Sequence, residues 1–386
     1  MRRIIGKGWI TQLNQLAEIG FEETELQIRN EADFEINPLH PDVRIFTLHE
    51  WKGDFKVDGK RVWGNIGDAG ELGDKSEELL GKHIAYAKEH GIERLVIHPG
   101  FTNIFEREKE AALDTVARRL ERIHDPAVKI CIENSEFRPD FTAYSNERLV
   151  VDADDLGFLL RRCEVPLQAI VDIEHLYATT IFKAFYEELK PVYEKIKTPS
   201  DKAKADNLAE KILVTYANED PEQTKKQISD FVEQYFRQWN SLVEAIHVCG
   251  SDYLNYKRPK NFVQKGPNPA VLIGSHLPIG FSGIIDQENV EDRVDHEQYL
   301  KLSHKNTPIV IEVTAKGMSE GYIYWLKESK ENLDEIVKPV KREYSTNIAR
   351  SQNMIYNPVL NYCQPMQKEI DLIAFTTFSN HGTFNR

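Results

Sequence analysis

Short apolar runs rich in β-branched residues alternate along this chain with longer stretches whose apolar positions recur at helical spacing. The runs at residues 3–6, 23–28, 44–48, 94–97, 128–132, 167–171, 243–246 and 309–311 predict eight strands. Between them, residues 76–90 and 108–123 predict amphipathic helices. Strand followed by helix, repeated eight times, is the pattern of parallel βα units, and closure gives an α/β fold of the (β/α)8 TIM-barrel type. Two segments exceed what a crossover needs. Residues 181–239 come after the sixth strand with helical patterns broken at Pro191, Pro199 and Pro221, which predicts a helical insertion. Residues 330–386 are part helical and part irregular, a C-terminal extension to a barrel occupying 1–329, packed over that barrel or on a second subunit of an oligomer.

Composition changes this picture little. The 386 residues are 41% hydrophobic and 29% charged, enough apolar surface for a sizeable core. A formal charge of -13 does not support a general nucleic-acid footprint, although a local basic groove or bound divalent metals could still meet phosphate. Cys131, Cys163, Cys249 and Cys363 are scattered with no CxxC pair, as for reduced thiols rather than a disulfide framework. No run approaches the roughly 20 apolar residues of a membrane span, and no apolar signal segment comes after Met1. A soluble, cytoplasmic protein with no membrane partner is expected.

The chemistry lies in the residues that end each strand. His49 comes directly after the third, His98 after the fourth and Glu133 after the fifth; Asp172 and His175 come after the sixth, His247 after the seventh and Glu312 after the eighth. In a barrel these positions converge on the C-terminal face, where active sites are built from several strand ends. A single histidine there is more often a hydrogen-bonded structural residue, and a single carboxylate is often a helix N-cap. Seven such residues in register are poorly explained as caps and core histidines. Imidazole and carboxylate together suit zinc, manganese or iron.

At these residues the chain resembles the xylose-isomerase-like barrels, and within them the endonuclease IV family of zinc-dependent apurinic/apyrimidinic endonucleases (AP endonuclease family 2). His49 with Asn65-Ile66-Gly67 resembles the first histidine of that family and its Asn-Leu-Gly. His98-Pro99-Gly100 resembles its His-Pro-Gly, Glu133-Asn134 its Glu-Asn, and Asp172-Ile173-Glu174-His175 its Asp-x-x-His. His247, the segment from Gly274 to Ile284 and Glu312-Val313-Thr314 resemble its later motifs. The resemblance implies two or three zinc ions, with Mn2+ or Fe2+ as alternatives. His49, His98 and Glu133 would hold the first, Glu133, Asp172, His247 and Glu312 the second, and His175 and His276 the third. Gly274 stands where the family has Asp, so eight of nine ligands match and the third site needs another group, such as Asp286 or Asp295. Ser275 replaces an Arg, residues 52–63 insert a small hairpin around Asp58-Gly59, and Gly20–Leu26 looks more like the sugar isomerase and epimerase branch.

One scaffold then admits two mechanisms. In a phosphoester hydrolase, paired metals stabilise the attacking and leaving oxygens, with Glu133 bridging, Glu312 positioning the attacking water and His175 contacting metal or phosphate. Its substrate would be a phosphoester or sugar phosphate, or nucleic acid met through Lys52, Lys56, Lys60 and Arg61, a stretch that equally fits a solvated loop. In a sugar isomerase or epimerase, one metal sits on Glu133, Asp172, His247 and Glu312, and Glu133 and Glu312 exchange a proton with carbon. Here the run after His247 holds no Arg until Arg258, against the epimerases. A barrel with a vestigial binding site is the non-enzymatic alternative. The pair His49 and His98 separates the first two, because a single-metal epimerase does not need both. Trp51, Trp63, Tyr253 and Tyr256 would flank the mouth, as packing residues or as stacking partners for a base or sugar.

Overall fold

The computed structural model describes residues 2–57, 60–103, 109–136, 146–181, 221–252, 276–285, 288–313 and 321–337. Eight strands close into a barrel: β1 (Ile4–Trp9), β2 (Glu23–Gln27), β3 (Arg44–His49), β4 (Arg94–Ile97), β5 (Lys129–Glu133), β6 (Leu167–Asp172), β7 (Val243–Val248) and β8 (Ile309–Ile311). Every barrel pairing is parallel, and β8 closes on β1 through Ile4 opposite Ile309. The expected TIM-barrel class and all eight strand positions agree with this architecture. The principal boundary difference is in β1, which runs three residues beyond the predicted end at Gly6.

The barrel interior is laid down in layers, as alternation along parallel strands requires. Ile5, Phe46, Val96, Cys131, Ile170, Ala245 and Val310 form one buried apolar cluster contributed by seven strands. Two residues further along six of those strands stand Lys7, His98, Glu133, Asp172, His247 and Glu312. Strand β3 would break this pattern, because stepping by two from Phe46 reaches Leu48 and leaves His49 outside. Its pairing with β2 shifts there: Thr24 faces Ile45 and Glu25 faces Thr47, leaving Phe46 as the extra residue. Such a bulge reverses the parity of the residues beyond it, so Thr47 and His49 turn inward. A polar layer thus sits directly on the apolar one.

A larger cluster lies between strands and helices, with Leu16, Leu26, Leu48, Ile97 and Leu120 among its buried members. The helices Glu71–Glu89 and Lys109–Ile123 begin within five residues of their predicted starts. Residues 173–181 are helical directly after β6 and end where the predicted insertion begins; within that insertion Pro221–Trp239 is a helix that buries Ile228, Val232 and Phe236, and residues 182–220, with Pro191 and Pro199, lie outside the described residues. The helix Tyr322–Val337 runs through residue 330, with Leu326 and Leu333 buried in the core; residues 338–386 lie outside the described residues. The expected hairpin appears as Phe55–Val57 paired antiparallel with Lys60–Val62, its tip at 58–59 outside the described residues. Ribbons of Phe101–Asn103 with Asn146–Arg148, and of Ser282–Ile285 with Glu288–Glu291, also lie beyond the C-terminal ends of barrel strands. No described helix is long and apolar enough to cross a membrane.

Candidate metal centre

All eight residues singled out as ligands meet at the C-terminal mouth. Ligand atoms of His49, His98 and Glu133 lie within 4.8 Å of one another, and so do those of Glu133, Asp172, His247 and Glu312. A third group joins Asp172, His175 and His276. Glu133 belongs to two groups and Asp172 to two, so the clusters are fused through carboxylates.

The imidazoles are oriented from behind. The Nδ1 of His49 lies 3.1 Å from the Glu50 carbonyl oxygen, and its Nε2 lies 3.0 Å from Glu133 Oε2. The Nδ1 of His98 is 3.3 Å from Glu50 Oε1, which also accepts the His98 backbone N–H at 2.6 Å, and its Nε2 is 3.4 Å from Glu133 Oε2. His175 places Nδ1 2.7 Å from the Asn134 carbonyl oxygen. His247 turns Nε2 to Glu25 Oε2 at 3.0 Å and Nδ1 to Glu312 Oε2 at 3.1 Å and Glu133 Oε1 at 3.4 Å. In each ring one nitrogen rests on a protein acceptor, which fixes the tautomer and aims the other nitrogen. That arrangement is characteristic of metal-ligating histidine.

Charge fits the same purpose. Glu25, Glu50, Glu133, Asp172 and Glu174 are buried, and beside them lies the buried ammonium of Lys7, the one buried lysine among the described residues, 2.7 Å from Glu312 Oε2 and 3.3 Å from Glu25 Oε1. Burial opposes ionisation of Glu133, yet His98 and His247 hold it well below the usual carboxylate range. Burial likewise opposes Glu25, which His247 and Lys7 bring down to about 2. Against burial, Glu25 and Glu133 raise His247 well above an ordinary histidine. Buried carboxylates need positive partners, which Lys7, the imidazoles that these carboxylates raise, or a bound cation can supply. Asp172 Oδ2 is buried without a hydrogen-bond partner, and His247 Nδ1 meets its two carboxylates off hydrogen-bond geometry. Oxygen and imidazole donors left open in this way fit divalent zinc, manganese or iron.

Several residues at the site escaped the sequence reading. Lys7 and Glu25 line the floor, and the Lys7 carbonyl oxygen accepts the Tyr322 hydroxyl. Thr47 donates to Glu25 Oε2 at 2.8 Å. The step of two from Ile5 to Lys7 was the available signal. Glu174 and Cys249 form a further potential ligand group with His276. Asp295, a candidate for the missing carboxylate, instead caps the helix His296–Leu302, accepting from Gln298 N. Asp286, Gly274, Tyr253 and Tyr256 lie outside the described residues. Lys52 is only partly exposed: burial first, then Arg148, push it down to about 8. Lys56 is exposed, the Lys60 and Arg61 side chains are outside the described residues, and Trp63 is exposed.

No protein-family model matches the chain. An endonuclease 4 from Thermus thermophilus is 34% identical over 114 residues, covering 30% of this chain and 37% of that protein. The match therefore spans little more than a third of the relative's length. Among solved structures, a D-tagatose 3-epimerase-like protein superposes with TM-score 0.50 at 15% identity, over 86% of this chain and 96% of its own. The crystal structure of an endonuclease IV, also from Thermus thermophilus, gives TM-score 0.43 at 13% identity, over 86% and 97% of the two chains. The likeness to the epimerase-like protein concerns the fold alone, which is the TIM barrel.

Proposed function

Taking the chain as a divergent xylose-isomerase-like barrel, as its fold and its partial match to an endonuclease 4 support, we propose that it is a divalent-metal-dependent hydrolase acting on a phosphoester, endonuclease IV-like. The observation that carries this reading is that Glu133 is shared between two ligand groups, one with His49 and His98 and one with Asp172, His247 and Glu312. A single-metal sugar enzyme uses only the second. His49 and His98, each aimed by Glu50 onto the far oxygen of Glu133, have no task in it.

His49, His98 and Glu133 would hold one cation, Glu133, Asp172, His247 and Glu312 a second, and His175 and His276 would contribute to a third. Zinc is the first choice, with Mn2+ or Fe2+ as alternatives. Bound cations supply Lewis-acid polarisation of a phosphoryl oxygen and a more acidic water. The side chains do the rest. Glu312 keeps 22% of its side chain exposed, against 1% for Glu133 and Asp172, so it is the carboxylate a substrate or water reaches. Lys7 holds Glu312 well below the usual carboxylate range despite burial, so Glu312 stays ionised and accepts a hydrogen bond from the attacking water, orienting it. At the rim Lys52 and Arg148 supply positive charge for the substrate phosphate.

The runner-up is a metal-dependent sugar isomerase or epimerase, favoured by the likeness of the barrel to a D-tagatose 3-epimerase-like protein and by Gly20–Leu26. The two separate on substrates and on one variant. The zinc-loaded protein should hydrolyse a simple phosphodiester and nick abasic duplex DNA, and His49→Ala should lose this by at least about a hundredfold. Ketohexose epimerisation that survives His49→Ala would instead establish the single-metal sugar reaction.

A further inference from the structure

Beside the polar layer lies a further donor group, of which the proposed reaction uses only His276. Cys249 comes directly after β7 and is 1% exposed; Glu174 opens the helix after β6 and is fully buried. The Cys249 Sγ stands 3.0 Å from His276 Nδ1, and Glu174 Oε2 stands 3.9 Å from the same nitrogen. One ring atom therefore faces both a thiol and a carboxylate, and a ligand atom of each of the three lies within 4.8 Å of the others. The other oxygen of Glu174 is held by Ser251 Oγ at 3.4 Å.

The backbone is arranged to keep this juxtaposition. Gly250 and Leu277, the residues next to Cys249 and His276, form an antiparallel bridge, with Gly250 N donating to Leu277 O at 2.6 Å and Leu277 N to Gly250 O at 2.8 Å. That bridge pins the histidine loop against the end of β7. His276 itself has φ of 45°, in the left-handed region that side chains other than glycine seldom adopt. Strain of that kind persists only where the surroundings impose it, and it clusters at ligand sites. On the other side of His276 the buried Asp172 Oδ2, already seen to lack a hydrogen-bond partner, groups with His175 and His276.

Thiolate, carboxylate and imidazole together are a zinc donor set, and the sulfur selects against magnesium and manganese. We infer that Cys249, Glu174 and His276, with His175 and Asp172 adjoining, form a thiolate-containing zinc site that completes the third cation position without a carboxylate from residue 274. Binding there converts the Cys249 thiol to a zinc-bound thiolate and releases its proton to solvent. The inference rests on the metal-centre reading above.

Cobalt titration of the chelated full-length protein tests it without reference to catalysis. The wild type should bind three equivalents, and a sulfur-to-cobalt charge-transfer band in the near ultraviolet should grow with one of them. Cys249→Ser should abolish the band and weaken that equivalent at least tenfold, leaving the other two unchanged. Glu174→Gln should weaken the same equivalent, and Cys131→Ser, whose sulfur lies in the apolar layer below, should change nothing. Cobalt bound to the wild type without a band, a band that persists in Cys249→Ser, or saturation at two equivalents would overturn the inference while sparing the paired site. Failure to bind any cobalt would remove both.

Discussion

Glu50 is the residue through which the centre is easiest to probe, because it aims two imidazoles and is not itself a ligand. Its carbonyl oxygen meets His49 and its carboxylate meets His98. Removing the negative charge in Glu50→Gln leaves both contacts geometrically available but lowers the basicity of His98. Metal affinity at the His49–His98–Glu133 group should fall about ten- to a hundredfold, read by competition with a chromophoric chelator. An unchanged affinity would mean that Glu50 only packs. His83 offers a pH-dependent counterpart. Its Nε2 accepts the Trp51 backbone N–H at 2.8 Å, its Nδ1 lies 2.8 Å from the Leu79 carbonyl oxygen, and burial lowers it to about 4. Because the folded state keeps this ring neutral, the unfolded chain takes up the proton first as pH falls. Its stability contribution is complete above the ordinary histidine value near 6.5 and is lost between there and about 4, amounting to about 3 kcal/mol. Denaturant midpoints of wild type and His83→Gln should converge as pH falls across that window; parallel pH profiles would refute the assignment.

Elements show where the sequence was legible. The eight strands could be read because buried parallel strands are continuous apolar runs, and their terminal residues could be read because a hydrophilic side chain ending such a run is conspicuous. Lys7 was lost because Gly6-Lys7-Gly8 reads as a turn, which ended the predicted strand early. Glu25 was lost for another reason: its meaning depends on His247, 222 residues away. Glu174 passed as the spacer in Asp-x-x-His, and Cys249 as one of several scattered thiols, until the Gly250–Leu277 bridge set both beside His276. The bulge in β3 that turns His49 inward has no local signature at all. Asp295 was the converse, since an Asp directly before a helix is the ordinary N-cap pattern. The boundary drawn at residue 330 is tested by Leu333, which is fully buried in the helix Tyr322–Val337. Leu333→Ala should cost about 2–4 kcal/mol in chemical denaturation if that helix belongs to the barrel core. A loss below about 0.5 kcal/mol would assign it to a separate extension.

For the molecule as a whole, the centre is a concentration of buried negative charge roofing an apolar barrel, with Lys7 as its buried ammonium. Such a core is stabilised by whatever cation it binds, by mass action against the unfolded chain. Chelation should therefore lower Tm by about 5 °C or more, reversed by zinc at a hundredfold excess over its dissociation constant. The overall charge of -13 gives no general attraction for nucleic acid, so affinity carried by the metal centre should disappear with the metals as well as with salt. The most direct measurement is the metal content per chain of protein purified without added metals or chelators. Two or more equivalents, falling by one in His49→Ala, are expected for clusters fused through Glu133. One equivalent that His49→Ala leaves in place, with no more bound on titration, would contradict the multinuclear centre.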